Sequence, residues 1–319
     1  MRRRQFIVAA AAASAAVKAQ GEGASFPSRP VRLIVGTTAG SATDLLARNL
    51  AQHLQAAWSQ PVLVENALGG TGQLATLRAV RAPADGHVIT ITNTSLFTNA
   101  AWLPSLPFDT LADLQGVASL VGVPTYLAVR PSSGWKSLPD LLDASRRAPG
   151  AYTYGSVGVR SGQHVGTALL ADLAGVRWLH VPYKGSQETT LELMAGRLDM
   201  AMLPRTFALS ASAAGKAMIV AVSEPVPWPE ARGLPVLTRD YAGYRYVPIF
   251  GAVVAAATPR TTVDRIHDGF AEAVTALDRS GKLASDGFTA RLSSPDEFQA
   301  TIRDQVQLWR TWGQRLQLD

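Results

Sequence analysis

The side chains best placed to do chemistry in this 319-residue chain are hydroxyl and small residues at the ends of apolar runs. Thr37, Thr38, Ala39, Gly40, Ser41 and Thr43 follow the run 31–35, and Asn93, Thr94 and Ser95 follow 87–92. Ser156 and Ser161 follow 152–154, and Ser186 follows 176–181. Most of these stretches run into a helical pattern, so hydroxyls and the free N–H groups of a helix's first turn fall together. Such donors hold a carboxylate without burying an unpaired cation. Taken singly, each hydroxyl reads as a cap or a turn. Their convergence at the strand ends of two sheets is what raises the binding reading.

Catalytic patterns are lacking. The chain has no cysteine, which excludes disulfides, thiol nucleophiles and thiolate metal sites. There is no H-E-x-x-H and no P-loop, and Gly69-Gly70-Thr71-Gly72 lacks the spacing of a dinucleotide fingerprint. Gly155-Ser156-Val157-Gly158 is one residue short of a hydrolase nucleophile elbow. Of five histidines only His164 and His180 sit beside the candidate loops. A lone histidine at a helix start is more often a hydrogen-bonding partner than a base or ligand. No catalytic residue, metal ligand or cofactor is assigned, and the chain reads as a binding protein, not an enzyme.

The elements that must position these loops begin with residues 31–58. Val31-Arg32-Leu33-Ile34-Val35 is a β-branched apolar run, broken by 36–40. Ser41-Ala42-Thr43-Asp44 has capping-box spacing, and Leu46, Leu50, Leu54 and Trp58 give the following helix one apolar stripe. Val62-Leu63-Val64-Glu65 and 87–92 repeat the strand pattern, with a glycine-rich loop and a helix between them. Two βα units with right-handed crossovers predict a parallel sheet whose ligands sit at the strands' carboxyl ends. Runs at 117–121 and 126–130 carry the chain onward, and the same pattern restarts with strands at 152–154, 176–181, 198–203 and 218–222. A proline-rich linker at 225–235 precedes a strand at 253–256, which returns to the first sheet. Thr261 and Ser294 are read as caps of two closing helices, the second carrying Phe298, Ile302, Val306 and Trp309.

The first residues read differently. Arg2-Arg3-Arg4 and an alanine-rich apolar run to Ala16 form a leader, with cleavage expected after Ala19 and a twin-arginine route as one option beside general secretion. Removing 1–19 takes Arg2, Arg3, Arg4 and Lys18 away and lowers the net charge from +6 to +2. A nearly balanced mature chain without basic runs excludes nucleic acid as the natural partner. No later run is long enough to be embedded in a membrane.

Several segments in order resemble the tripartite tricarboxylate transporter substrate-binding proteins, also called Bug receptors. They are 26–35, Thr43-Asp44, Pro61 to Asn66 with its glycine loop, and Ala84-Asp85-Gly86. Tyr154-Gly155-Ser156, His164, His180 to Ser186 and Ala195 to Asp199 continue the match. The resemblance implies an α/β type II periplasmic binding fold, with lobe 1 from 26–122 plus 248–319 and lobe 2 from 123–247. It implies a small carboxylate captured by lobe closure, membrane transporter subunits as partners, a periplasmic location and a monomer; a ligand sensor signalling to a regulatory partner is the alternative. Carried onto this chain, the contacts are Thr38, Ala39, Gly40, Ser41, Asp44, Asn93, Thr94 and Ser95 from lobe 1. Lobe 2 supplies Ser156, Ser161, His164 and the turn from Tyr183 to Ser186.

Three departures stand out. Ala39-Gly40-Ser41 replaces the family's Pro-Gly-Gly, and Val159-Arg160 replaces small or polar residues. Arg160 either pairs bidentately with a carboxylate or faces solvent. Leu203-Pro204, followed by Arg205 and Thr206, replaces an acidic-polar pair, which would give a cleft at that position an apolar wall.

Overall fold

The structure, a computed structural model, describes residues 26–316 other than 104 and 247. The leader read at 1–19 lies outside the described residues. Two sheets organise the rest. The first contains β1 (Val31–Val35), β2 (Val62–Asn66), β3 (Val88–Thr92) and β4 (Leu114–Gly122), joined late in the chain by β10 (Ile249–Ala255) and β11 (Thr289–Ala290). Its order is β11-β4-β10-β3-β1-β2, with β1 parallel to β2 and β3, and β10 antiparallel to β3 and β4. The second contains β5 (Thr125–Val129), β6 (Thr153–Ser156), β7 (Leu179–Pro182), β8 (Met200–Pro204) and β9 (Met218–Val222), in the order β7-β6-β8-β5-β9. Both sheets are mixed where the sequence pattern predicts parallel strands. The reason is that β4 and β5 carry the chain out of one sheet into the other, and β10 brings it back against the direction of β3.

The interior strands are mostly apolar, as strands covered on both faces tend to be, with Arg32 of β1 the charged exception, paired with Glu65 of β2. Val31, Leu33, Ile34 and Val35 are fully buried, and so are Leu127, Ala128 and Val129. On the first sheet lie α1 (Ala42–Trp58), α2 (Gln73–Val80), α3 (Ser95–Trp102) and α9 (Arg260–Arg279). The expected stripe of α1 is buried at Leu46, Leu50 and Leu54, and Ser41 is its cap, accepting from Asp44 N at 3.3 Å. On the second sheet lie α4 (Leu138–Arg147), α5 (Gly162–Leu173), α6 (Ser186–Met194) and α7 (Arg205–Ala213). Two short helices, α8 (Leu237–Asp240) and α10 (Lys282–Ser285), fill the connections before the last helix, α11 (Pro295–Leu316).

Three local readings differ from the structure. The polar stretch read as the end of β3 leaves the strand after Thr92: Asn93 Oδ1 accepts from Ser95 N at 2.9 Å, and α3 starts at Ser95. Helix α7 follows β8 directly, where the sequence reading has no helix. Helix α9 begins at Arg260, one residue before the expected cap Thr261, and Asp264 pairs with Arg260 at 2.7 Å instead of closing a capping box.

The last helix ties the two sheets' units together. Phe298, Ile302, Val306 and Trp309 are buried in one cluster with Phe97 and Leu114 of the first and Leu127, Val165, Leu169 and Tyr246 of the second. Trp309 meets Tyr246 edge-on with ring centroids 6.5 Å apart, and Arg315 pairs with Asp172 of α5 at 2.8 Å. Phe298 lies so close over β10 that a Cβ added at Gly251 would overlap its Cζ and stand 2.8 Å from the Ala118 carbonyl oxygen. Overpacking of this kind costs about 1–3 kcal/mol. Gly251→Ala is therefore expected to lower the melting temperature by several degrees, and Phe298→Leu in the same chain to recover part of the loss, as thermal melts of the four combinations would show.

Candidate ligand-binding site

The loops singled out by the sequence all leave the carboxyl ends of strands, where open α/β sheets place their ligands. The first joins β1 to α1. Gly36 is in van der Waals contact with the glycine-rich turn before α2, since a Cβ there would sit 2.6 Å from Gly72 Cα. Thr37 and Ser41 hydroxyls share a hydrogen bond at 2.6 Å, while Thr38, Ala39 and Gly40 are exposed. Asp44, almost fully buried, fixes the loop: its Oδ2 accepts from Gly40 N and Arg48 Nε, both at 2.9 Å. Its Oδ1 accepts from Asn66 Nδ2 at 2.8 Å and Arg48 Nη2 at 3.0 Å. Burial pushes this carboxyl up, but the bonds from Arg48, Gly40 and Asn66 outweigh it, and Asp44 stays below the usual range. The charge is thus closed within the loop.

The second loop joins β3 to α3. Asn93 is spent on starting the helix. Thr94 is different: it is 5% exposed, and its hydroxyl has no partner among the described residues. Behind these two loops a cavity of about 20 Å³, lined by Gly36, Gly72, Thr92, Asn93, Ser95 and Asn99, has room for about one water.

The third loop joins β6 to α5. Ser156 is buried with its oxygen 2.9 Å from Gly158 O, 3.2 Å from Gly158 N and 2.6 Å from His180 Nε2. A carbonyl only accepts, so the hydroxyl donates to Gly158 O and receives from the other two. Ser156 is therefore saturated, and His180 carries its proton on Nε2. Ser161 caps α5, accepting from His164 N at 3.4 Å. His164 Nδ1 accepts from Arg160 N at 3.0 Å, which puts its proton on Nε2. The two imidazoles stack, centroids 3.6 Å apart and 7° from parallel, with the Tyr154 ring 5.0 Å from that of His180. Burial pushes His164 down to about 3, with His180 and the Arg160 charge adding to it, and burial pushes His180 down to about 4. Both are neutral.

The fourth loop joins β7 to α6. Tyr183 N donates to Ser156 O at 2.9 Å, and Ser186 O accepts from Thr190 Oγ1 at 2.6 Å inside the helix. Of all these loops, one side-chain bond joins the two units across the site among the described residues: Thr98 Oγ1 donates to Arg160 O at 3.0 Å. It thereby ties the Asn93–Ser95 stretch to Arg160, Ser161 and His164. Thr38 to Ser41 and Tyr183 to Ser186 bond only within their own units. Of the departures, Leu203 is buried among Tyr126, Ala201 and Ala208 in the second sheet's own core and walls no cleft. Arg205 pairs with Glu230 at 2.5 Å, stacks 4.5 Å over Trp228 and donates to Ala284 O of α10 at 2.8 Å. Sequence reasoning missed Thr98, because its place one turn beyond Ser95 means nothing until α3 is known to start there. Among the described residues no cluster of three metal-ligating side chains occurs, and no helix is long and apolar enough to cross a membrane.

The sequence pattern of the tripartite tricarboxylate transporter family receptor matches residues 46–318. The chain belongs to that receptor family. Similar proteins include one encoded in the gbd 5′ region of Cupriavidus necator, 30% identical over 86% of this chain and 85% of its own length. Protein BugT of Bordetella pertussis is 26% identical over 93% and 92%. Among solved structures, R. palustris Rpa4515 with adipate superposes with a TM-score of 0.84 at 26% identity, covering 92% of the receptor and 99% of that chain. The periplasmic binding protein BugD superposes at 0.81 with 22% identity, covering 92% and 99%, so the receptor has the periplasmic binding protein fold.

The neutral histidine pair makes stability depend on pH. Unfolded histidine takes its proton near pH 6.5, whereas these two refuse it down to about 4 or lower. In that window the unfolded chain binds more protons, so the receptor is less stable as pH falls. From pH 7 to 5.5 the expected loss is about 1 kcal/mol from His164, with a smaller, water-screened share from His180. Thermal melts between pH 8 and 5 check this, and His164→Asn should flatten the dependence.

Proposed function

We propose that this receptor is exported to the periplasm, closes its two lobes (26–122 with 248–319, and 123–247) on a small carboxylate, and presents it to membrane transporter subunits. The observation that carries the reading is the Thr94 hydroxyl. A buried hydroxyl without a partner costs about 1–3 kcal/mol, and a ligand oxygen removes that cost. It stands at the start of α3, in a loop that Thr98 ties to the loop opening α5, so the N-termini of two helices lie beside that tie. The remaining candidate contacts follow the carboxyl ends of other strands: Thr38 to Ser41 after β1, Arg160 to His164 after β6 and Tyr183 to Ser186 after β7. The protein with adipate, 26% identical to this chain, supports a dicarboxylate as the first ligand to try.

Binding is favoured over catalysis on the same geometry. Ser156 and His180 lie 2.6 Å apart, as a nucleophile and base would, yet the serine proton is committed to Gly158 O. A histidine held near 4 is also a weak base at neutral pH.

The mature chain should be titrated with adipate, malate, citrate and benzoate by calorimetry and thermal shift. At least one is expected to bind and raise the melting temperature. Thr94→Val is expected to weaken that ligand about tenfold while leaving the unliganded melting temperature unchanged or higher, because an unpartnered hydroxyl is removed. A folded chain indifferent to the whole panel would overturn the assignment.

A further inference from the structure

Arg160 is held in an unusual way. Its φ is +62°, a left-handed conformation that a non-glycine residue adopts at a cost of about 1–2 kcal/mol. Neither of its main-chain polar groups is bonded to main chain. The N–H goes to His164 Nδ1 at 3.0 Å, and the C=O accepts from Thr98 Oγ1 at 3.0 Å. The first partner belongs to the same unit and the second to the other. Thr98 has an alternative acceptor, Ser95 O one turn back in α3, but at 3.5 Å it is the poorer one, and a hydroxyl donates once. Thr98 is fully buried, so water does not compete for its hydroxyl, while Arg160 itself is half-buried.

We propose that Thr98 is a positioning residue for the binding site: through the Arg160 carbonyl it holds the left-handed turn that orients Arg160 and Ser161, and so couples the β3–α3 loop of one unit to the β6–α5 loop of the other. It contacts no ligand itself. Its removal frees the 157–161 loop to relax toward ordinary dihedral angles, which swings the Arg160 side chain and loosens the cap of α5. Because the bond spans the two units, it forms when the loops are together and breaks when they part. Its loss therefore falls on ligand escape more than on capture.

The inference rests on the carboxylate-receptor reading for its affinity arm only, since amide exchange at Arg160 tests it without ligand. In the wild-type chain the Arg160 amide, followed by NMR, is expected to exchange as slowly as the interior amides of α5. Thr98→Val, which keeps the shape and removes the donor, is expected to speed that exchange at least tenfold, and Thr98→Ser to restore it. With adipate as the probe, Thr98→Val is expected to raise the dissociation rate about tenfold with the association rate within twofold. In an Arg160→Gly background the left-handed turn is unstrained, and most of the effect of Thr98→Val on exchange at residue 160 is expected to vanish. Fast exchange at Arg160 in the wild type overturns the proposal even if Thr98→Val cannot be obtained folded. So does equal exchange in wild type and Thr98→Val, failure of serine to restore it, or additivity of the two substitutions. If adipate does not bind the wild-type chain while the exchange results hold, the ligand assignment fails and the coupling stands.

Discussion

One main-chain hydrogen bond decides where everything else can stand: Val123 N donates to Pro248 O at 2.9 Å. It stitches together the two places where the chain passes between sheets, while Ser223 N to Thr125 O at 2.8 Å extends the pairing of β5 with β9 beside it. Once both crossings are pinned side by side, the strand ends of the two sheets are held near one another. Of the loops after β1, β3, β6 and β7, those after β3 and β6 are joined across the units, by the bond from Thr98 Oγ1 to Arg160 O, although the two residues lie 62 positions apart in the chain. Right-handed crossovers fix on which side of each sheet the helices return, and the returning helices supply the N-termini that face the loops. The crossing also explains why both sheets are mixed.

The second principle of the site is that its charges are settled before any ligand arrives. Asp44 spends both oxygens on Gly40, Arg48 and Asn66. Its burial then rigidifies the first loop instead of repelling an anion. His164 and His180 are neutral because burial disfavours their charged forms, and His180 and the Arg160 charge make protonation of His164 costlier still. What remains without a partner among the described residues of these loops is the hydroxyl dipole of Thr94. Fixed dipoles of this kind bind an anion without the desolvation cost of a buried cation.

Much of the first-sheet unit was legible in the sequence, because its signals are local. Strand β1 is an unbroken β-branched run, the cap at Ser41 is three residues from the N–H it accepts, and the stripe of α1 recurs every four residues. The capping box at Ser294 is present in full, Ser294 N donating to Glu297 Oε2 at 2.8 Å. What was not legible depends on partners far along the chain. Nothing local says that Asn66 satisfies Asp44 or that Asn93 starts a helix, and α3 lacks a clear apolar period because Ser95, Leu96, Phe97, Thr98 and Asn99 are buried in succession. Leu203 shows the same limit from the other side. Its side-chain direction follows from strand alternation in β8 against β5, which sequence comparison with a family pattern does not supply.

The energetic scale of the Thr98–Arg160 contact suits a receptor. A neutral buried hydrogen bond contributes about 0.5–1.5 kcal/mol net, and the left-handed residue it holds costs about as much. The two nearly cancel, so this contact alone favours neither the joined nor the parted arrangement of the loops by more than a small factor. A binding protein needs such a balance, because a ligand shifts an equilibrium only by its differential affinity for the two states. A charged contact in the same place would bias it. The ionic ties between the units lie elsewhere: Arg315 with Asp172 beside the shared core, and Arg291 with the buried Glu224 beside the crossings. Glu224 is pushed up by burial against the pull of Arg291. The ionic contacts thus sit beside the shared core and the crossings, and the neutral, strain-balanced one sits between the loops after β3 and β6.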